Sequence, residues 1–223
     1  MSNTIPGVEF IDNANQSTPC ILVLDTSSSM NGEPIKQLNA GLKVFEEQLK
    51  SDAVAALRVQ VLVMAVGGYE EVSILQPWTD AVDFTTPTLQ ANGMTPLGKG
   101  MAKALEEIES QKALYDTNGI SSTRPWIIMI SDGCPNDYGW EDIAEQCRTI
   151  EQRKKAVIFP IGTEGADFDA LAQFSNKTPK KLKGLQFTEL FIWLSRSMST
   201  VSASVPGEKV SLPDTSDWSE IEV

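Results

Sequence analysis

I-L-V-L-D-T-S-S-S-M, residues 21–30, is an unbroken apolar run that ends abruptly in an aspartate and hydroxyl side chains. A continuous Ile/Leu/Val run closed by polar punctuation reads as a strand buried on both faces of a parallel sheet. Asp25, Ser27 and Ser29 are two residues apart. In extended chain they project to one side, so the strand's carboxyl end would carry one carboxylate and two hydroxyls together. Hard cations such as Mg²⁺ take oxygen ligands and keep several waters. The stretch therefore reads as half of a metal site.

Outward from this strand, apolar periodicity alternates between strand and helix. Pro34 suits a first helical position, and Ile35, Leu38, Leu42, Phe45 and Leu49 follow at helical spacing. Residues 57–66 read as a strand, Gly67-Gly68 as a tight hairpin and residues 71–75 as its antiparallel partner. Residues 77–96 contain three prolines and read as a long loop. Leu97, Met101, Leu105 and Ile108 mark a helix, and Trp126–Ile130 a second buried strand that runs into Ser131-Asp132-Gly133. Trp140, Ile143, Cys147 and Ile150 mark the next helix, 156–161 a strand, Phe168, Leu171 and Phe174 a short helix, and 182–185 a short strand. Phe187 to Val201 gives the last helix. Strands alternating with helices predict a doubly wound α/β fold, an open and mostly parallel sheet with helices on both faces.

The domain organisation expected is an N-terminal arm over residues 1–18, with Val8, Phe10 and Ile11 as its packing residues, one domain over 19–203, and a mobile acidic tail over 204–223 in which Val210–Leu212 or Trp218 can lie on the domain. A chain of 223 residues is long enough for one sizeable core and short for two. Its net charge of −12 disfavours nucleic acid and anionic membrane as partners and favours cations and basic protein surfaces. There are no histidines, which removes Ser-His-Asp and Cys-His hydrolysis and His-based zinc sites. Cys20, Cys134 and Cys147 have neither disulfide nor zinc spacing. The first residues lack a basic region followed by an apolar one, and no apolar run approaches a membrane span, so a reducing cytoplasm is the expected location.

In an open α/β sheet, ligands bind beyond the carboxyl ends of the strands. Asp25 and Asp132 both lie at such ends, and Thr95, just before a helix, lies at the same edge. D-T-S-S-S at 25–29, the threonine of G-M-T-P at 93–96 and S-D-G at 131–133 resemble, in order and separation, the three parts of the metal-ion-dependent adhesion site (MIDAS) of von Willebrand factor A (VWA) domains. The resemblance covers residues 19–203 and implies a six-stranded sheet of order 3-2-1-4-5-6 with one antiparallel edge. It implies that Ser27 and Ser29 bind the ion through their hydroxyls, that Thr95 binds directly or through water, and that Asp25 and Asp132 hold waters and orient the hydroxyls. The ion implied is Mg²⁺, with Mn²⁺ or Ca²⁺ as alternatives. Its open position would take an Asp or Glu carboxylate of a partner protein. Ser28, where the family often has glycine, points away from the ion.

V-E-F-I-D-N at 8–13, G-E-P-I at 32–35, R-P-W at 124–126 and K-L-K-G-L at 181–185 further resemble bacterial VWA proteins of the tellurite-resistance TerY/YegL type. That resemblance implies a cytoplasmic, stress-response or phosphorylation-linked interaction module, not an enzyme, with a phosphatase or kinase of the same system as partner. A monomer is expected.

The same residues admit other readings. G-M-T-P-L-G-K-G at 93–100 fits a phosphate loop only until Gly100, which stands where Ser or Thr must hold Mg²⁺. Asp25 as the nucleophile of a metal-dependent phosphohydrolase is the alternative function. That chemistry wants a second Asp two residues on, where Ser27 stands, and Asp137 is the nearby candidate base. Trp78, Tyr138 and Trp140 read equally as core or as a binding rim. Lys177, Lys180, Lys181 and Lys183 read as a solvated loop, with a docking patch as the alternative.

Overall fold

The computed structural model describes residues 16–68 and 71–220. The N-terminal arm expected at Val8, Phe10 and Ile11, and the V-E-F-I-D-N stretch, lie outside the described residues, apart from the arm's last residues.

The central strand β1, Thr18–Asp25, is buried along its whole length. It pairs in parallel with β2, Val59–Val66, on one side and with β4, Trp126–Ser131, on the other. Beyond β2 lies the antiparallel edge strand β3, Val72–Asp80. Beyond β4 lie β5, Val157–Gly162, and β6, Lys180–Leu182, both parallel. The six strands take the order 3-2-1-4-5-6. A seventh, β7, Ser219–Glu220, adds antiparallel to the far edge.

Side-chain alternation along the strands sorts the core into two layers. Cys20, Leu22 and Leu24, with Val59, Val61, Val63, Ile128 and Ile130, face α1, Glu33–Ser51, and α6, Phe187–Ala203. Ile21 and Val23, with Leu62, Met64, Ile127, Met129 and Ile158, face α3, Leu97–Asn118, and α4, Trp140–Gln152. Two short helices complete the set, α2, Ala55–Arg58, and α5, Phe168–Ala172. Gly41 lets α1 and α6 touch: a Cβ there would lie 2.7 Å from the Phe191 ring and 2.9 Å from the Phe187 carbonyl oxygen.

Three boundaries differ from the sequence reading. Leu57 and Arg58 belong to α2, and β2 begins at Val59. The edge strand β3 continues to Asp80 through Pro77. Its pairing jumps from Val63↔Gln76 to Val61↔Thr79, a bulge that places Pro77 and Trp78 opposite Leu62 alone. A proline without an N–H is accommodated at a bulge on an edge strand. β6 lies two residues earlier than expected.

The tail is anchored. Trp218 is fully buried against Trp193, ring centroids 5.2 Å apart, and the Lys183 N–H donates to the Trp218 carbonyl at 2.8 Å. Among the described residues no helix is long and apolar enough to cross a membrane.

Because β1 feeds α1 on one layer and β4 feeds α4 on the other, the loops leaving these adjacent strands diverge. The crevice between them is the topological switch point of the sheet.

Candidate metal centre

Asp25 ends β1 and is fully buried. One carboxylate oxygen accepts the Ser27 N–H at 2.8 Å, and the other accepts the Ser131 hydroxyl from the end of β4. A carboxylate in the core is tolerated because both oxygens are hydrogen-bonded.

Beyond Asp25 the backbone is not extended as the two-residue spacing suggested. Thr26 N–H still donates to the Val66 carbonyl at 2.8 Å, but residues 28–30 form a single 3-10 turn, with Met30 N–H donating to the Ser27 carbonyl at 3.1 Å. Met30 is buried and pins that turn to the core. The turn, not strand alternation, brings the hydroxyls together: Ser27 Oγ and Ser29 Oγ are 2.9 Å apart. Ser29 donates to Asp132 Oδ1 at 2.7 Å. Its single proton is thereby used, so Ser27 is the donor to Ser29. The Ser28 side chain is exposed, and its N–H donates to the Gly93 carbonyl at 3.1 Å.

Asp132 is half-buried. Burial pushes its carboxyl above the ordinary value; the Ser29 hydrogen bond opposes this and the Asp25 charge adds to it. Such a group gains from a nearby positive charge.

Thr95 comes from the loop before α3. That loop is fastened to the β1 turn by Asn92 N–H donating to the Thr26 carbonyl at 2.8 Å, as well as by Ser28. Thr95 is buried; its N–H donates to the Asn136 side-chain Oδ1 and its carbonyl accepts the Asn136 N–H, each at 3.2 Å. Its hydroxyl oxygen faces the Ser131-Asp132-Gly133 loop, since a Cβ on Gly133 would lie 3.5 Å from it. Asp25, Ser27, Ser29 and Asp132 are thus joined by direct hydrogen bonds, through Ser131 on one side, and Thr95 flanks the same loop.

From the sequence, Asn136 has no role, Ser131 has only a place in S-D-G, and Asp137 enters only as the base of the phosphohydrolase alternative. Asp137 accepts from Gly98 N–H at 3.1 Å and Lys99 N–H at 2.7 Å, covering free amides at the start of α3. Gly98 permits the approach, because a Cβ there would lie 2.6 Å from Trp140 Cβ. The aromatic candidates separate. Trp140 stacks on Phe174 at 5.5 Å, Trp78 is half-buried against the α3/α4 layer, and Tyr138 stands fully exposed.

The family model of the von Willebrand factor type A domain matches residues 20–188. The chain belongs to this family. VWA domains generally act as interaction modules, and those with a MIDAS bind divalent metal. No curated protein matches the chain. Among solved structures, a von Willebrand factor type A protein from Catenulispora acidiphila superposes with a TM-score of 0.62 at 14% identity, covering 83% of this chain and 43% of that one. The pilus adhesin SpaC from Lactobacillus rhamnosus GG gives 0.66 at 12%, covering 83% and 31%. Proximal thread matrix protein 1 from the mussel byssus, with a zinc-occupied MIDAS motif, gives 0.58 at 14%, covering 83% and 48%. At these identities the likeness shows the fold alone, and the chain spans less than half the length of each.

The residues present fit a hard divalent cation. Among the described residues no three His, Cys, Asp or Glu side chains come together as a metal-ligating group. The oxygens at the VWA switch point are instead hydroxyls of Ser27 and Ser29 with carboxylates beside them. Each hydroxyl keeps lone pairs for an ion while its proton goes to a neighbour. The two buried cysteines do not compete. Cys20 and Cys147 are buried and burial pushes both thiols up, to about 12 for Cys147.

Proposed function

We propose that the chain is a metal-dependent protein–protein interaction module whose ion is Mg²⁺, or Mn²⁺ or Ca²⁺ in its place, and whose ligand is an Asp or Glu carboxylate of a partner protein. The observation that carries this reading is the hydrogen-bonded set Ser27–Ser29–Asp132 at the carboxyl ends of β1 and β4. In it Ser27 and Ser29 would hold the ion through hydroxyl oxygens, Thr95 would join directly or through water, and Asp25 and Asp132 would orient hydroxyls and waters. A bound cation supplies positive charge at an open position that an incoming carboxylate can fill.

Neutral direct ligands leave the ion most of its charge, so the partner's carboxylate is drawn by a charge-assisted, partly desolvated contact. Such a site binds the ion alone only weakly, on the order of micromolar to millimolar. The resemblance to the tellurite-resistance type supports a bacterial cytoplasmic setting in stress response, with a phosphatase or kinase of that system as the partner.

The phosphohydrolase alternative is less well supported. Both Asp25 oxygens already accept hydrogen bonds within the core, and the Asp137 carboxylate is engaged with the amides of α3. An occupied, buried carboxylate is a poor nucleophile and an occupied one a poor base.

The test has two arms. Titration with Mn²⁺, followed by electron paramagnetic resonance, should show one bound ion in the wild type and none in Ser27→Ala/Ser29→Ala. A pull-down in Mg²⁺ and in EDTA should recover a partner that is lost both on chelation and in that variant. A partner retained under both conditions overturns the reading.

A further inference from the structure

Large apolar side chains left in water at a ligand edge have no folding role there. Two stand at this edge. Tyr138 is fully exposed and Met94 is 65% exposed. They belong to the loops that Asn136 and Asp137 clamp together, Met94 beside Thr95 and Tyr138 beside Asp137. Each is therefore held by neighbours whose positions are fixed, while its own side chain is free. Trp140, two residues on, is stacked on Phe174 and so is accounted for by packing; Tyr138 is not.

Beyond Tyr138 the surface is acidic. A shallow depression there is lined by Asp137, Tyr138, Trp140, Glu141 and Asp142. Glu141 and Asp142 sit in the first turn of α4, where they suit the helix dipole, and both are exposed. Among the described residues neither forms an ion pair, whereas Lys99, in the first turn of the neighbouring α3, is already paired with Glu71. The charge on this rim is thus uncompensated and negative, next to a site that calls for a negative ligand.

Building on the metal reading above, we propose that Met94, Tyr138, Glu141 and Asp142 select the partner segment. The segment fitted to this edge is an exposed protein stretch with an Asp or Glu for the ion, an aromatic or aliphatic side chain within a few residues that covers Met94 and Tyr138, and a Lys or Arg beyond it that faces Glu141 and Asp142. A tyrosine offers a large, rigid contact face at low entropy cost. The acidic rim discriminates against purely acidic segments, which the ion alone would accept, because like charges in juxtaposition are penalised.

The test is selection of a random 12-residue peptide library, displayed on phage, on the full chain in Mg²⁺ with elution by EDTA. It is run in parallel on Ser27→Ala/Ser29→Ala, on Met94→Ser/Tyr138→Ser and on Glu141→Lys/Asp142→Lys. All four changed rim side chains are exposed, and a retained cooperative melting transition, a few degrees lower in Glu141→Lys/Asp142→Lys for the reversed charges at the start of α4, verifies that these variants fold. Wild-type clones should carry an acidic residue with an apolar neighbour and a basic residue, the apolar preference falling about fivefold to tenfold in Met94→Ser/Tyr138→Ser. The basic preference should be lost in Glu141→Lys/Asp142→Lys. Acidic clones without apolar or basic enrichment, or the same motif on the rim variants, overturn the rim proposal and leave the metal reading standing. EDTA-eluted clones without an acidic residue, or equally enriched on Ser27→Ala/Ser29→Ala, overturn both.

Discussion

Ser131, the last residue of β4, donates its hydroxyl to the buried carboxylate of Asp25 at the end of β1. The bond ties together the two strand ends that flank the switch point, and it leaves Asp25 free to hold the Ser27 amide with its other oxygen. Ser131 is itself fully buried and also accepts the Gly133 N–H at 3.2 Å, so it shapes the Asp132 loop. Ser131→Ala removes a hydrogen bond to a charged group and leaves a carboxylate oxygen unpaired in the core, at a cost of about 2 kcal/mol. Urea denaturation checks this. A loss below about 0.5 kcal/mol would mean that water replaces the hydroxyl and that the strand ends do not depend on it.

Ser29 lies in the open part of the same set and is exposed. Its hydroxyl donates to the half-buried Asp132 and Ser27 is buried, so Ser27→Ala/Ser29→Ala is expected to cost about 1–2 kcal/mol of metal-free stability and, as its distinguishing effect, to abolish the gain from added Mg²⁺. For a site with a Kd of about 1 mM, 10 mM Mg²⁺ stabilises the wild type by about 1.4 kcal/mol. In a domain of this size that raises Tm by roughly 3–6 °C. Differential scanning calorimetry with and without Mg²⁺ measures it. An equal rise in the variant would place the cation elsewhere.

How much of this could be read from the sequence depends on the range of the interactions. β1 and β4 were legible because full burial in a parallel sheet demands continuous apolar runs, as in Ile21–Leu24 and Trp126–Ile130. The grouping of Asp25 with Asp132 followed from the rule that both strands end at one edge. The 3-10 turn that brings Ser29 onto Asp132 was not legible, because it depends on Met30 finding the core and on Gly93 meeting Ser28. Ser131 and Asp137 act across 106 and 39 residues of sequence, and no local pattern announces such a bond. Pro77 misled for a physical reason: proline excludes a central strand, but here it sits at a bulge on the edge.

Glu46 gives a pH dependence with a definite sign. Burial pushes its carboxyl up, but Thr86 Oγ1 and N–H, at 2.6 and 3.0 Å, with Lys50 and Lys43, outweigh burial and hold it at about 2 against an ordinary 4.5. A carboxyl whose folded value lies below its unfolded one contributes stability that is complete above about 4.5 and is lost as pH falls toward about 2. The Glu151 carboxyl is also lowered: burial pushes it up, but Lys177, Asn176, Ile158 and Ser175 together win. Glu46→Gln should therefore lose less stability than the wild type between pH 6 and pH 3 in urea titrations. Identical losses would show that Thr86 does not hold the charged form.

Trp218 closes the far edge of the sheet. Its ring packs on Trp193, whose indole N–H donates to the Pro213 carbonyl at 2.9 Å, and β7 follows it directly. Trp218→Ala should cost about 3–5 kcal/mol, the range for emptying a buried aromatic site. The loss should appear in the single global unfolding transition. A change under about 1 kcal/mol would mean that residues 204–220 pack independently of the domain.

Asp137 separates the two functional readings. As the acceptor for the Gly98 and Lys99 amides, it stabilises the start of α3 and, through Asn136 beside it, the position of Thr95. Asp137→Ala should then cost about 1–2 kcal/mol, as loss of a helix-terminal acceptor does, while Asp137→Asn, which keeps one acceptor oxygen, costs less. Mn²⁺ affinity should fall modestly in the alanine variant, because Thr95 loses a fixed neighbour. A catalytic base would behave differently. Hydrolysis of a generic phosphate ester by the purified chain would be lost equally in both variants and in Asp25→Asn, with stability unrelated to activity. Graded stability and metal binding without turnover assign Asp137 to positioning, whereas equal loss of a genuine turnover in all three would move the chain to the hydrolase class.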